Sequence, residues 1–239
     1  MKKKGFEELT LVPIAHIRSD FKEKFGVPRQ SGRVKELTAA VVFEKEYAVP
    51  AALRGIEGYS HLWLLWGFSL EDPDAPWSPT VRPPRLGGNK RVGVFATRSP
   101  NRPNPVGLSA VEFHGITEVD GRPALSVGGA DLVNGTPVYD IKPYLPHADC
   151  IPGARGGFSD GCADHALEVC VDGALLEIIP EKKRAGLLGI LREDPRPGYR
   201  KDERSYGLSY AGYEVSFYVE DDRKLTVTGI CKPRTAKDG

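Results

Sequence analysis

The sequence predicts a mainly β protein, a small antiparallel or mixed β-barrel followed by a small α+β domain. Three observations predict it. Over the first 146 residues strand-length apolar segments outnumber helical patterns, and the segments joining them are loops rather than crossover helices. No strand–turn–helix carries the glycine fingerprint of a Rossmann-type cofactor site, and no phosphate-binding P-loop is present. A length of 239 residues suits one large domain or a domain with an appendage. The expected division is 1–148 for the barrel, 149–165 for a glycine-rich linker and 166–239 for the α+β part.

Leu9 to Arg18 reads as the first strand, with Pro13 marking an edge or a bulge. Ser19-Asp20 is a turn signal, and Gly26, Pro28 and Gly32 make Phe21 to Arg33 a loop. Leu37 to Glu44 is a second strand, followed by a helical turn at Ala51 to Arg54 that Gly55 ends. Ser60 to Phe68 is nearly continuous apolar, which predicts a strand buried on both faces. Glu71 to Lys90 holds five prolines and Trp77, the pattern of an ordered lid or wall. Leu108 to Ile116 and Pro123 to Val127 flank Asp120-Gly121 as a hairpin. Past the linker come a strand at Ala166 to Val171, a helix at Glu181 to Arg192, and hairpin strands Tyr213 to Val219 and Leu225 to Ile230 around Asp221-Asp222. Lys182, Lys183 and Arg184 open that helix, an unfavourable place for cations unless they face an anion.

A net charge of +1 argues against a general polyanion binder, but the distribution is uneven. Ala75 to Val111 contains no acidic residue and holds Arg82, Arg85, Lys90, Arg91, Arg98 and Arg102. Lys182 to Arg204 is a second window rich in cations. Such runs are ordinarily solvated faces; two of them on a nearly neutral chain are better explained by a localised phosphate-binding surface. The four cysteines have no C-x-x-C spacing, so neither a metal site nor a disulfide framework is expected. The longest apolar run, Leu62 to Phe68, is too short to span a bilayer, and Glu7 and Glu8 stand where a signal peptide needs apolar residues. The expectation is a cytoplasmic protein without membrane or metal partners.

The organising stretch is Gly93 to Ser109, Gly-Val-Phe-Ala-Thr-Arg-Ser-Pro-Asn-Arg-Pro-Asn-Pro-Val-Gly-Leu-Ser. It begins and ends with β-formers; between them Pro100, Pro103 and Pro105 exclude helix and central strand and leave a stiff loop. Asn101 and Asn104 are expected to hold its turns. Arg98 and Arg102 suit an ordinary surface loop or a binding loop, and only the latter accounts for three prolines in six residues. His61 on its own reads more readily as a satisfied core histidine than as a ligand.

This stretch closely resembles the ATRSPxRPNPxGLS motif of the TrmO-type tRNA methyltransferases, which methylate N6 of a modified adenosine beside the anticodon. Ile17-Arg18-Ser19, Lys24 to Gln30, Ser60 to Trp63, Thr80 to Gly88, Asp131 to Pro146 and Asp194 to Arg200 extend the resemblance in the expected order. It implies a small-barrel methyltransferase that pairs as a homodimer and uses S-adenosylmethionine. It further implies that Pro28, Arg29, Gln30, His61, Leu62, Arg98, Leu108, Asn134, Gly135, Thr136 and Pro137 surround that donor. Asn134 stands where the family usually has Asp, which keeps an acceptor and removes a charge. Asp140 is the candidate base and Lys142 the candidate anchor for a carboxylate or phosphate, with a structural ion pair as the equal alternative. Arg82, Arg85, Arg102, Arg196, Tyr199 and Arg200 are the candidate contacts to a tRNA anticodon stem-loop. A non-catalytic RNA- or nucleotide-binding barrel and a methyltransferase for a small molecule are the alternatives.

Overall fold

Alternation of side chains along six strands builds the main body. The computed structural model describes residues 9–72, 76–83, 86, 90–162, 166–196 and 204–233. Its strands are β1 (Ala15–Arg18), β2 (Thr38–Phe43), β3 (His61–Gly67), β4 (Thr80–Val81), β5 (Val92–Gly93), β6 (Val106–Val119), β7 (Arg122–Gly128) and β8 (Pro137–Pro143). Antiparallel pairing runs β1–β2–β7–β6–β3–β8 and returns to β1, closing a six-stranded barrel. Closure leaves the barrel without an unpaired edge strand. Ala15, Ile17, Val41, Leu62, Leu64, Val111, Leu125, Val127 and Val138 fill the interior with almost no exposure.

Several elements differ from expectation for identifiable reasons. The first strand starts at Ala15, not Leu9, which is 83% exposed. β3 is buried on one face only: Leu62 and Leu64 point inward, while Trp63 and Leu65 stand half-buried on the outside. A continuous apolar run is ambiguous between two buried faces and one, and here the outer face is only partly covered, Trp63 donating to Asp149 at the end of the short helix Pro146–Asp149. The proline-rich segment contains a two-stranded ribbon, β4 with β5, and the chain after Gly93 makes a 3-10 turn at Val94–Ala96 rather than continuing as strand.

The rest of the chain forms α1 (Pro146–Asp149), β9 (Glu168–Cys170), α2 (Gly173–Glu177), α3 (Glu181–Arg192), β10 (Tyr206–Tyr210), β11 (Tyr213–Glu220) and β12 (Lys224–Cys231). The strands order as β10–β11–β12–β9, with β9 parallel to β12. α3 covers this sheet with Leu187, Ile190 and Leu191, all at 1% exposure or less. The second core also takes in Phe21, Val34 and Leu37 from the loop between β1 and β2. That loop is therefore a joint, one side facing the barrel and the other packed under α3. Two of the three cations that open α3 face acceptors: Lys183 donates to Asp20 at 2.5 Å, and Arg184 donates to the Ile179 and Glu177 carbonyls that close α2. Among the described residues no helix is long and apolar enough to cross a membrane.

The joint is tight. An ideal Cβ at Gly189 of α3 would lie 2.4 Å from Cγ1 of Val34. Gly189→Ala would raise helix propensity by about 1 kcal/mol, yet the clash costs about 1–3 kcal/mol because Val34 is itself buried, at 2% exposure. The expected result is a lower melting temperature, read by calorimetry, where an exposed helical glycine would give a rise.

Candidate functional site

A cavity of about 870 Å³ opens where the start of β6 meets three loops. Its walls are the Val27–Gln30 segment of the joint, the proline loop with Arg98, Pro100 and Arg102, and the turn from Asp131 to Val133. Trp66, Phe68, Gly107 and Ser109 contribute the base. The Trp66 and Phe68 rings meet edge to face at 4.5 Å.

The proline loop is held from within. The Thr97 hydroxyl donates to the Val94 carbonyl at 2.8 Å and accepts from the Ser99 N–H. The Ser99 hydroxyl accepts from the Asn101 N–H, and the Val106 N–H donates to the Asn104 carbonyl. Thr97 and Ser99 hydroxyls thus hold the turns where asparagine side chains were expected. Arg102 folds back, donating to the Thr97 carbonyl at 3.3 Å, while Arg98 is exposed at the cavity mouth and donates to the Gln30 side-chain carbonyl.

A partly buried polar chain runs under the cavity. The Trp66 indole N–H donates to Ser109 Oγ at 3.0 Å, and that hydroxyl donates to Asp131 Oδ1 at 2.8 Å. Burial raises the proton affinity of Asp131 above the ordinary carboxylate range, against the pull of the Ser109 hydroxyl, of its own and the Ser31 N–H, and of the Arg98 charge. Glu71, also on the lining, is neutralised by Lys24 at 2.5 Å. Asp131 is thus the lining carboxylate without a close basic partner among the described ion pairs. Sequence reasoning missed it, and Gly-Gly-Ala-Asp carries no burial signal of its own.

Of the residues expected around a donor, Pro28, Arg29, Gln30, Arg98, Leu108 and Thr136 line the cavity. Asn134, Gly135 and Pro137 flank Thr136 without lining it. The Asn134 side chain accepts from the Ser19 N–H, and the Gly135 N–H donates to the Ile17 carbonyl, so this turn is sewn to the end of β1. Gly135 has φ of 84°, a backbone that favours glycine. Leu62 is fully buried in the barrel core and does not reach the cavity. His61 starts β3, about 16 Å of strand away from Trp66, with its ring near Tyr144 and its Nδ1 2.9 Å from Ser60 Oγ.

Asp140 and Lys142 pair with each other at 2.8 Å on the outside of β8 and lie off the lining. Unbroken alternation would put both on the same face as the inward Val138. The register shifts where β8 meets β3, with Leu65 opposite Asp140 but Trp66 opposite Val138, and the phase reverses there. Ile141 then packs on the barrel core, and its two neighbours point out. Arg196, expected as an RNA contact, is buried. Arg196 is 4% exposed, gripped in bidentate fashion by Asp194 and again by Asp222, and hydrogen bonding to Asp194 foremost raises its hold on its proton. Arg82 is exposed at the end of β4, beside Lys90 and Arg91 of the same ribbon. Arg85, Tyr199 and Arg200 lie outside the described residues.

Two family models match the chain, each over one stretch. Residues 16–150 match the family model described as the tRNA-methyltransferase O N-terminal domain, and residues 181–233 match the TrmO C-terminal domain. The tRNA (adenine(37)-N6)-methyltransferase of Escherichia coli K12 is 44% identical over 212 residues, covering 86% of this chain and 89% of that protein. An S-adenosyl-L-methionine-binding protein of Archaeoglobus fulgidus is 38% identical over 148 residues, covering 62% of this chain and 98% of that one. The crystal structure of TrmO from Pseudomonas aeruginosa superposes with a TM-score of 0.74 at 30% identity, covering 94% of this chain and all of that one.

Proposed function

The chain belongs to the tRNA-methyltransferase O family, and from that premise we propose that it transfers a methyl group from S-adenosylmethionine to N6 of adenosine 37 in tRNA. The favoured substrate is the threonylcarbamoylated nucleoside, whose urea-like N6 proton a modest base can remove. The observation that carries this reading is the cavity itself. Its volume of about 870 Å³ suits a nucleoside-sized ligand, and its lining offers guanidinium groups for a carboxylate, a carboxylate for a cationic or hydroxylated part, and apolar Trp66, Phe68 and Leu108 for the remainder. These residues fit such a donor.

When bound, the donor supplies an electrophilic methyl carbon on a sulfonium. The chain's task is alignment, which contributes about 7–11 kcal/mol of barrier lowering in well-oriented systems. Arg98, steadied by Gln30, clasps a carboxylate at the mouth, and Arg29 adds a second fork. The Leu132–Thr136 turn, tied to β1, gives a rigid rim. Asp131 takes the proton that N6 loses. Ser109 and Trp66 hold that carboxylate in place, so little reorganisation is needed.

The basic ribbon and the proline loop are the proposed path for the anticodon stem-loop, with Arg82, Lys90 and Arg102 near its phosphates and exposed Phe95 (74%) as a stacking surface. A homodimer would cover the outer face of β3 and β6, where Leu65 and the 54% exposed Leu108 stand opposite one another. Replacing Arg82 and Lys90 with alanine is expected to weaken tRNA binding and to flatten the dependence of log K on log salt by about one unit for each phosphate no longer neutralised. Donor affinity should not change. The decisive test is mass spectrometry of tRNA nucleosides after incubation with purified protein and donor: a new N6-methylated nucleoside supports the reading, and donor binding without transfer identifies a non-catalytic barrel.

A further inference from the structure

Arg196 does more than fill a buried corner. α3 ends at Arg192, and Asp194 follows it with φ of 52°, at the position where glycine usually closes a helix. Aspartate tolerates that backbone better than most residues, and here its carboxylate is used. Both oxygens accept from Arg196, at 2.9 Å each, and Oδ1 also accepts from the Arg196 N–H. From the other side Asp222, at the tip of the β11–β12 hairpin, accepts from Arg196 Nη2 at 3.0 Å. The carbonyl of this immobilised residue points at the joint and accepts from Arg29 Nη2 at 2.9 Å. The Arg29 carbonyl accepts from the Gln30 amide, and the Gln30 carbonyl oxygen accepts from Arg98. Next to this path Arg33 makes a second bidentate pair with Glu193, 2.9 Å on both arms.

A continuous hydrogen-bonded path therefore links the hairpin tip of the C-terminal sheet to the arginine at the cavity mouth. We propose that the Asp194–Arg196–Asp222 clamp is a positioning device for the donor cavity: it fixes Arg29 and Gln30, and through Gln30 it aims Arg98. The C-terminal unit then sets donor affinity directly, independent of any contact it makes with RNA. The inference rests on the methyltransferase reading for the identity of the ligand, but not for the mechanical link. Networks of this kind gain from mutual polarisation and fail as a unit when one member is removed.

The test uses the full chain and the variants Asp222→Ala and Arg196→Lys, which keep the Arg196-position carbonyl and avoid leaving the half-buried aspartates without any cation. Titration calorimetry with S-adenosylmethionine, in the absence of tRNA, is expected to show donor Kd raised about 2- to 30-fold in Asp222→Ala, with KM for donor rising and kcat held. Arg196→Lys should fall between that variant and wild type, since lysine keeps the charge but lacks the fork. Amide exchange of the ligand-free protein should quicken at residues 29–33 and 98 in Asp222→Ala. Unchanged exchange there, or unchanged donor affinity with weakened tRNA binding, would overturn the proposal. Should wild type itself fail to bind the donor, the ligand assignment falls, and the exchange measurement still decides the link.

Discussion

Asp131→Asn is expected to reduce methyl transfer to tRNA about 10²- to 10⁴-fold at saturating donor, the range that loss of a general base produces. The expectation follows from placement. Asp131 is half-buried on the cavity lining, held by the Ser109 hydroxyl at 2.8 Å, and burial has raised its proton affinity. A carboxylate whose pKa moves toward working pH becomes a better base there. The sign of the pH effect follows: as pH falls through the raised value the carboxylate fills with a proton and can accept no other. The kcat profile should therefore decline on its acid side above the ordinary carboxylate range, and the Asn variant should lack that limb. Asp140→Asn is the companion measurement. Its carboxylate is 41% exposed and paired to Lys142 outside the lining, so turnover should stay close to wild type. If Asp140→Asn abolished turnover and Asp131→Asn did not, the proton acceptor would be Asp140.

Gly107→Ala should damage both stability and donor binding. Gly107 in β6 lies opposite Trp66 in β3, and an ideal Cβ there would sit 2.3 Å from two ring carbons of the indole. The ring has no easy retreat, since its edge-to-face contact holds it on Phe68 and its N–H is committed to Ser109. Overpacking of this sort costs about 1–3 kcal/mol, which for a chain of this size corresponds to a fall of about 2–4 °C in Tm per kcal/mol. The larger effect is on function, because moving Trp66 disturbs the base of the cavity and the hydroxyl that orients Asp131. Calorimetric melting and donor titration on the same sample check both parts. An unchanged Tm with unchanged affinity would mean that Trp66 is free to move.

Much of the architecture could be read from the residues, and the misses share a cause. Residues 181–192 form the helix that their spacing predicts, because Leu187 and Leu191 are one turn apart and Pro180 precedes them. β6 and β7 turn at Asp120-Gly121, as their alternation requires. The proline loop was recognisable as stiff and arginine-bearing from composition alone. What local pattern did not give was direction in space. Arg196 looked like one more cation in a basic window, and only the fold around it brings Asp222 within 3.0 Å. Asp131 looked like part of a turn, and only closure of the barrel puts Ser109 and Trp66 against it. Asp140 and Lys142 were visible as a pair but not as an outward one, because a bulge where β8 meets Leu65 and Trp66 of β3 shifts the register.

The second core borrows Phe21, Val34 and Leu37 from near the beginning of the chain and closes them beneath strands that end at Cys231. During synthesis the amino-terminal part emerges first, so the barrel strands through Pro143 can pair while the borrowed loop still lacks its partners. The wall of the cavity formed by Arg29 and Gln30 therefore sets last. A nascent or carboxyl-truncated chain would lack the Arg196 carbonyl that accepts from Arg29, so this wall would stand without its outer support.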